Sequence, residues 1–325
     1  MKKTFVIIVN VIIIAAILIF VVLYSRYESR NSYVRQIENF EKTTVTMEKV
    51  TENYLEGEQS ICDVWAKYIN SEAMTMEEAI DYIRKSDVLA DNSTHLVSLD
   101  TLTGLSTQPK QGTKNDYDVS YERMHLLEDV SWIDDIGESV NITRAFTNPM
   151  NGEQSLAFCN LVKLRDAEGR SKDAILMRVI PISGLEQKWV FPQSVLMNAE
   201  LAMIDAGGDY IMKGVSFKNS SFFEFYKSYN STDPESSGKL FDKITSSTGS
   251  VLMNNSHGQE CILAYTPVSS TAGWTMLGLV PAKDLNVNTQ NWLLIGVVSA
   301  GLMILFFYDL LYILYFNMGI QIAAR

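Results

Sequence analysis

The sequence predicts an α+β protein: two tandem modules, each an antiparallel sheet with flanking helices, carried on a long N-terminal spine helix and bracketed by two transmembrane helices. Three observations predict it. Apolar runs of membrane length stand at the two ends, Phe5 to Tyr24 and Trp292 to Phe316, and about 20 apolar residues rising 1.5 Å each cross a hydrocarbon core of about 30 Å. No proline interrupts Arg26 to Asn70, directly behind the first run. The polar middle then carries strand signals in two separate sets.

The first run, FVIIVNVIIIAAILIFVVLY, is longer than the apolar core of about 7–15 residues in a signal peptide, and YSRYESR after it offers no small-residue cleavage site. It reads as a retained anchor over 5–24, after a cytoplasmic start at 1–4. Flanking charge does not set its orientation: Lys2 and Lys3 precede it, Arg26, Arg30 and Arg35 follow it, and a long domain is translocated largely regardless of such charges.

The spine helix spans 25–72. Tyr33, Ile37, Phe40, Met47, Val50, Tyr54, Ile61, Trp65 and Tyr68 recur along it at helical spacing, interrupted by Gly57. About 45 residues of helix measure about 65–70 Å, enough to run beside two modules. A second helix is predicted at Met76 to Ser86, with Thr75 as N-cap ahead of Glu77 and Glu78.

The first strand set is His95 to Asp100, Val140 to Phe146, Gln154 to Leu164 and Asp173 to Ile182, with NPMNGE as a hairpin turn. The second is Glu200 to Asp205, Tyr210 to Lys213, Ser250 to Asn254, Gln259 to Pro267 and Trp274 to Val280, with NNSHG as its turn and short helices at Ser220 to Tyr229 and Ser237 to Ser246. A boundary near Pro192 to Asn198 divides a first module at 73–195 from a second at 196–290. The second span covers 291–316, and 317–325 begins a cytoplasmic linker.

Composition excludes some partners. All acidic residues but Asp309, and all Lys and Arg but Lys2, Lys3 and Arg325, lie between the spans, so the middle carries more net negative charge than the −11 of the whole chain. Such a surface disfavours nucleic acid and anionic headgroups. Cys62, Cys159 and Cys261 are far apart and odd in number, which gives neither a disulfide framework nor metal spacing; buried free thiols are expected.

Two stretches are specific. ELAMIDAGGDYIM opens the second module, and ECILAYTPVSSTAGWTMLGLVPAKDL closes it with a strand, a short turn, Gly-Trp, a last strand and a Val-Pro return toward the membrane. With the spans and the spine helix, the chain resembles the double Cache sensors, PAS-like extracytoplasmic input domains of bacterial kinases, cyclases and chemoreceptors. The resemblance implies a two-pass protein of the cytoplasmic membrane with residues 25–291 outside. It also implies a small ligand in the membrane-distal first module. A homodimer is expected from the stripe Tyr33 to Tyr68, which offers a face for a second copy of the helix, against the alternative of packing on the chain's own modules alone. GIQIAAR leaves no room for a HAMP domain and is similar to the lead-ins of hybrid histidine kinases, which favours a kinase parent over a cyclase or chemoreceptor. The rival expectation is a membrane-tethered binding or structural protein without signalling output.

No catalytic set is present in the sequence: no C-x-x-C, H-E-x-x-H, G-x-S-x-G or P-loop, and His95, His125 and His257 are isolated. The chain is expected to be no enzyme by itself, without cofactor or metal. Gly207 to Asp209 spells the GGD of diguanylate cyclases, but Tyr210 and Ile211 stand where that signature has Glu-Phe, and the segment reads as a hairpin turn.

Binding residues are better signalled. Arg144 in VNITRAF shares a strand face with Val140, Ile142 and Phe146, and Arg178 lies within the apolar run AILMRVIP. A guanidinium among apolar side chains requires a partner, either an acidic side chain of the protein or a ligand carboxylate or other anion held by bidentate bonds. The segment Asp116 to Asp135 crosses between strands where such sensors form the pocket wall, and Tyr121, Trp132 and Asp135 are candidates to line it, against the alternative of an ordinary packed helix. Amino-acid-binding double Cache sensors carry Arg, one residue, Trp and Tyr or Phe here; Val130-Ser131 before Trp132 and Ile133 after it do not match. Trp274 reads as core packing. Asn10 and Asp309 interrupt the spans, Asp309 near the inner interface, as a span end or a helix contact.

Overall fold

In the computed structural model, residues 2–86, 92–127, 141–189, 198–230, 233–269, 273–285 and 292–323 are described. They form two compact units: Phe40–Pro281, and Met1–Asn39 with Ala282–Arg325.

Helix α1 runs from Lys2 to Glu72. Within the unit Phe40–Pro281 its Phe40, Met47, Leu55, Cys62, Trp65 and Ile69 are buried, spaced by three, four, seven or eight, so one stripe of the helix packs inward. The expected stripe from Tyr33 to Tyr68 divides into two: Val50, Ile61 and Tyr68 are exposed, with Val64 beside them. Helix α2 (Met76–Ser86) follows. Its start is a reciprocal capping box, in which Glu78 N–H donates to Thr75 Oγ1 at 3.3 Å and Thr75 N–H to Glu78 Oε2 at 2.9 Å.

The first sheet has six strands where the sequence signalled four: β1 (Ser93–Ser98), β2 (Thr103–Ser106), β3 (Asp118–Ser120), β4 (Phe146–Thr147), β5 (Gln154–Arg165) and β6 (Ser171–Pro181). Their order is β3-β2-β1-β6-β5-β4, all antiparallel. Val140 lies outside the described residues; from Asn141 to Phe146 the expected strand is reduced to the start of β4 and an isolated bridge between Ile142 and Phe158. The Thr143 hydroxyl is the cause: it accepts from Ala157 N–H at 2.9 Å where a ladder carbonyl would, so the backbone leaves strand geometry. Short helices α3 (Glu122–Leu127) and α4 (Ile182–Glu186) flank this sheet.

The second sheet follows the sequence reading closely: β7 (Glu200–Ile204), β8 (Tyr210–Lys213), β9 (Gly249–Asn254), β10 (Glu260–Pro267) and β11 (Thr275–Pro281), ordered β8-β7-β11-β10-β9. Helix α5 (Phe222–Tyr229) is capped by Ser221. Helix α6 (Pro234–Ser246) starts three residues earlier than expected, because Asp233 caps it and Pro234 occupies its first turn. Both cover one face of the sheet with an aromatic layer of Phe217, Phe222, Phe225, Tyr226 and Phe241. The opposite face carries α1. A Cβ at Gly278 of β11 would sit 2.7 Å from Thr44 Oγ1 and 3.1 Å from Phe40 Cζ, so only glycine admits the helix this closely. Trp274 is buried with Met276 and Val268 on that face, as core packing requires.

The other unit contains the N-terminal part of α1, with a stretch long and apolar enough to cross a membrane. It also contains helix α7 (Trp292–Ala323). Asn10 Nδ2 donates to Asp309 Oδ1 at 2.9 Å, so the two polar residues of the apolar runs meet each other.

Candidate functional site

Alternation along the first sheet sorts its side chains onto two faces with different chemistry. Leu156, Phe158, Leu176 and Ile180 face α1 and pack with Leu55, Cys62, Trp65 and Ile69. Arg178 stands opposite Thr94 and Phe158 in the register and shares this helix side. Its Nε donates to Glu58 Oε2 at 2.8 Å, and its Nη1 donates to Asn92 O and Thr94 Oγ1, both at 3.2 Å. Asn92 Nδ2 donates to the other Glu58 oxygen at 2.8 Å, and the guanidinium lies 5.2 Å from the Trp65 ring centre. Of the two partners the sequence allowed for Arg178, the structure supplies the internal carboxylate.

The opposite face gathers Val97, Tyr121, Phe146, Ala157, Cys159, Ile175, Met177 and Val179. One polar chain crosses this apolar wall: His95 Nδ1 lies 2.8 Å from Tyr121 Oη, and His95 Nε2 lies 3.3 Å from Ser93 Oγ. Burial pushes the His95 imidazole down to about 3 and the Tyr121 phenol well above its ordinary range, so both stay neutral at physiological pH. Each hydrogen bond can run in either direction, and the imidazole tautomer follows the direction. Trp132 and Asp135 lie outside the described residues.

Arg144 is not enclosed by Ile142 and Phe146 as strand alternation suggested. With the ladder broken at Thr143 its side chain is 54% exposed, and it pairs with Asp205 and, at 3.5 Å, with Asp209 on the β7–β8 turn of the second sheet. The GGD of the sequence is that turn: Gly208 has φ +86°, and Asp205 Oδ1 accepts from Gly207 N–H at 2.9 Å and Asp209 N–H at 3.0 Å.

Among the clefts lined by described residues of this unit, two are notable. One of about 750 Å³ lies at the β2–β3 edge, where Thr101, Thr103, Lys110, Asp118 and Arg123 are among its lining. The other, about 540 Å³, separates the sheets: Ala145, Gln154, Ile182 and Glu186 face the edge strand β8 across it.

Sequence reasoning missed Glu58, Asn92 and His95. Glu58 carried a signal, since it lies three residues after Leu55 and four before Cys62, an acid on the buried stripe of α1. His95 carried a weaker one, a histidine directly before the apolar pair Leu96 and Val97 in a short strand.

No protein-family model and no curated protein sequence matches the chain. Solved structures do. The ligand-binding domain of the Pseudomonas aeruginosa PAO1 amino acid chemoreceptor PctB, in complex with L-Arg, aligns with a TM-score of 0.54 at 15% identity, covering 78% of this chain and 98% of that one. The extracellular domain of the putative histidine kinase rpHK1S-Z16 aligns at 0.53 and 10% identity, covering 79% and 98%. The ligand-binding domain of Mlp24 with asparagine aligns at 0.50 and 13% identity, covering 78% and 97%. The fold is therefore that of the extracellular ligand-binding domains of chemoreceptors and histidine kinases, the double Cache architecture. The fold class expected from the sequence agrees with it.

Proposed function

We propose that this chain is the sensory input part of a transmembrane signalling protein, with a small ligand bound against the His95–Tyr121 face of the first sheet. The observation that carries this reading is the contrast between the two faces. Both are buried; one packs against α1, with its charge neutralised by Glu58. The other is an apolar wall crossed by a neutral hydrogen-bonding chain, the usual chemistry of a small-molecule site. The fold likeness supports the sensory class.

The expectation of a carboxylate or other anion rested on Arg144 and Arg178. Both guanidiniums have internal carboxylate partners, so the reading rests on Tyr121 with His95, and the ligand is small and takes a neutral hydrogen bond. A thermal-shift screen of the full chain in detergent tests this, with one arm of neutral hydrogen-bonding compounds and one of carboxylates. A ligand at about a hundred times its dissociation constant adds about 2.7 kcal/mol. Neutral hits whose shift disappears in Tyr121→Phe support the assignment. Carboxylate hits that survive Tyr121→Phe and disappear in Arg144→Gln or Arg178→Gln return the site to an arginine.

The remaining parts of the reading follow from the helices. α1 and α7 serve as two spans, both termini cytoplasmic, with the sheets outside. The chain acts on an output domain, a histidine kinase in this reading, by moving the helices joined to it. A second copy packs along α1, where Val50, Ile61, Val64 and Tyr68 are exposed around Gly57 at three-, four- and seven-residue spacing. Impermeant thiol labelling in intact cells tests the topology: a cysteine introduced at Asn255 is reached and one at Lys3 is not. The reverse pattern overturns it.

A further inference from the structure

We infer that Arg144 is a latch between the two sheets, and that the Asp205–Asp209 turn is its receiver. Movement of residues 141–147 is passed through it to the second sheet.

The arginine is held firmly on its own side. Thr143, beside it, is fully buried, its N–H donating to Ala157 O at 2.9 Å and its hydroxyl accepting from Ala157 N–H at 2.9 Å. Ile142 bridges to Phe158, and Phe146 pairs with Ser155. Ala157 and Phe146 belong to the layer that contains Tyr121. A ligand that displaces that layer therefore displaces the backbone of Arg144.

The receiver is equally fixed. Asp205 commits Oδ1 to the turn and leaves Oδ2 for the guanidinium. Gly208 cannot carry a side chain here, because a Cβ would lie 2.4 Å from the Phe223 ring at positive φ. Its carbonyl accepts from Phe222 N–H at 2.8 Å, so the turn is tied to α5 as well as to β7. β7 pairs with β11, whose Gly278 rests on α1. The route from Arg144 to the helix is thus a chain of direct contacts.

The latch is also able to open. Its guanidinium is half exposed, which makes the pair weak and sensitive to salt. The cleft of about 540 Å³ adjoins it, with Ala145 on one wall and Tyr210 to Lys213 on the other, so the sheets have space to approach or part. Asp205 is the principal receiver, and Asp209 adds only a longer contact at 3.5 Å, too long to hold the guanidinium alone.

The signalling role of the latch rests on the function proposed above; the latch itself is measured without ligand. Spin labels on Gln154→Cys and Lys213→Cys, which face each other across the cleft, report the separation of the sheets by pulsed dipolar spectroscopy. The full chain in lipid nanodiscs is the sample, and its own Cys62, Cys159 and Cys261 are buried and stay unlabelled. A single narrow distance is expected in the parent, and its loss in Arg144→Gln. Asp205→Asn, which keeps an oxygen to accept from the turn, should lose it too. Salt at 1 M, where the Debye length falls to about 3 Å from about 8 Å at 0.15 M, should broaden the parent and leave both variants unchanged. Should Arg144→Gln fail to fold, Asp205→Asn and the salt series carry the test. A parent-like distance in the variants, or equal broadening in the control Arg170→Gln, overturns the latch and leaves the ligand assignment standing. Ligand screens without a hit leave the latch standing and remove its signalling role.

Discussion

Glu58 of α1 and Arg178 of β6 meet at 2.8 Å inside the helix–sheet interface, their side chains 12% and 4% exposed. The pair is separated by 120 residues in sequence, and Asn92 and Thr94 add hydrogen bonds around it. It fixes the rotational setting of the spine helix on the first sheet, since a turn of the helix in either direction would strand a charge among Leu55, Cys62 and Trp65.

Removing one partner should therefore cost more than replacing both. Glu58→Ala is expected to destabilise the chain by about 3–5 kcal/mol, because it leaves the arginine buried and uncompensated. The double variant Glu58→Leu with Arg178→Met should recover most of that loss. Denaturant unfolding of the full chain in detergent measures both. Equal losses in the single and double variants would mean that packing, and not charge, is what Glu58 supplies.

How much of this was legible in the sequence differs between the two sheets for a physical reason. In the second sheet the strands run for four to eight residues and are bounded by glycine turns at Gly208 and Gly258, so local signals sufficed for β7 to β11. In the first, β2 and β3 are four and three residues long with one buried position each, too short for alternation to register. Val140 to Phe146 looked like a strand by alternation, yet the Thr143 hydroxyl enters the ladder. That event depends on Ala157, fourteen residues away. The site divided likewise. Arg178 was legible as a buried cation, but its partner Glu58 comes from packing of distant segments, which periodicity alone does not assign.

Trp274, directly before β11, and Thr275, its first residue, are neighbours with opposite expected outcomes. Trp274 fills the space between the second sheet and α1, and Trp274→Ala should cost about 3–5 kcal/mol. Thr275 is fully buried with its hydroxyl unpartnered among the described residues. Thr275→Val should be neutral or stabilising by up to about 1 kcal/mol, because it removes a polar group already without a bond. Thermal unfolding of the two variants decides. A clear loss in Thr275→Val would indicate a water held by that hydroxyl.

The apolar helices of the other unit approach closely at Gly301, where a Cβ would lie 2.6 Å from Ile17 Cδ1. Cysteines at Ile17→Cys and Gly301→Cys should accordingly cross-link readily under mild oxidation. Adding Asn10→Leu removes the bond to Asp309 and should slow trapping by roughly threefold, the value of an average interhelical hydrogen bond of about 0.6 kcal/mol. Absence of cross-linking would show that the helices do not stay paired in the bilayer.

Stability should also depend on pH through Glu48 of α1, which is 4% exposed. Burial first, and the charge of Glu52 second, push its carboxyl up from an ordinary value of 4.5 to about 7, with Lys49 opposing. The sign follows from proton counts. Below about pH 4.5 both folded and unfolded chains hold the proton, and Glu48 costs nothing. Between 4.5 and 7 the unfolded chain releases it while the folded chain retains it, so folding loses stability as pH rises through this window. Above 7 the loss is complete, about 3 kcal/mol at 1.36 kcal/mol per unit. Glu48→Gln should abolish this component, making the variant more stable than the parent at pH 8 and equal to it near pH 4. Parallel stability curves for parent and variant from pH 4 to 8 would show that Glu48 keeps its charge in the folded chain, through solvent or a partner that stabilises it.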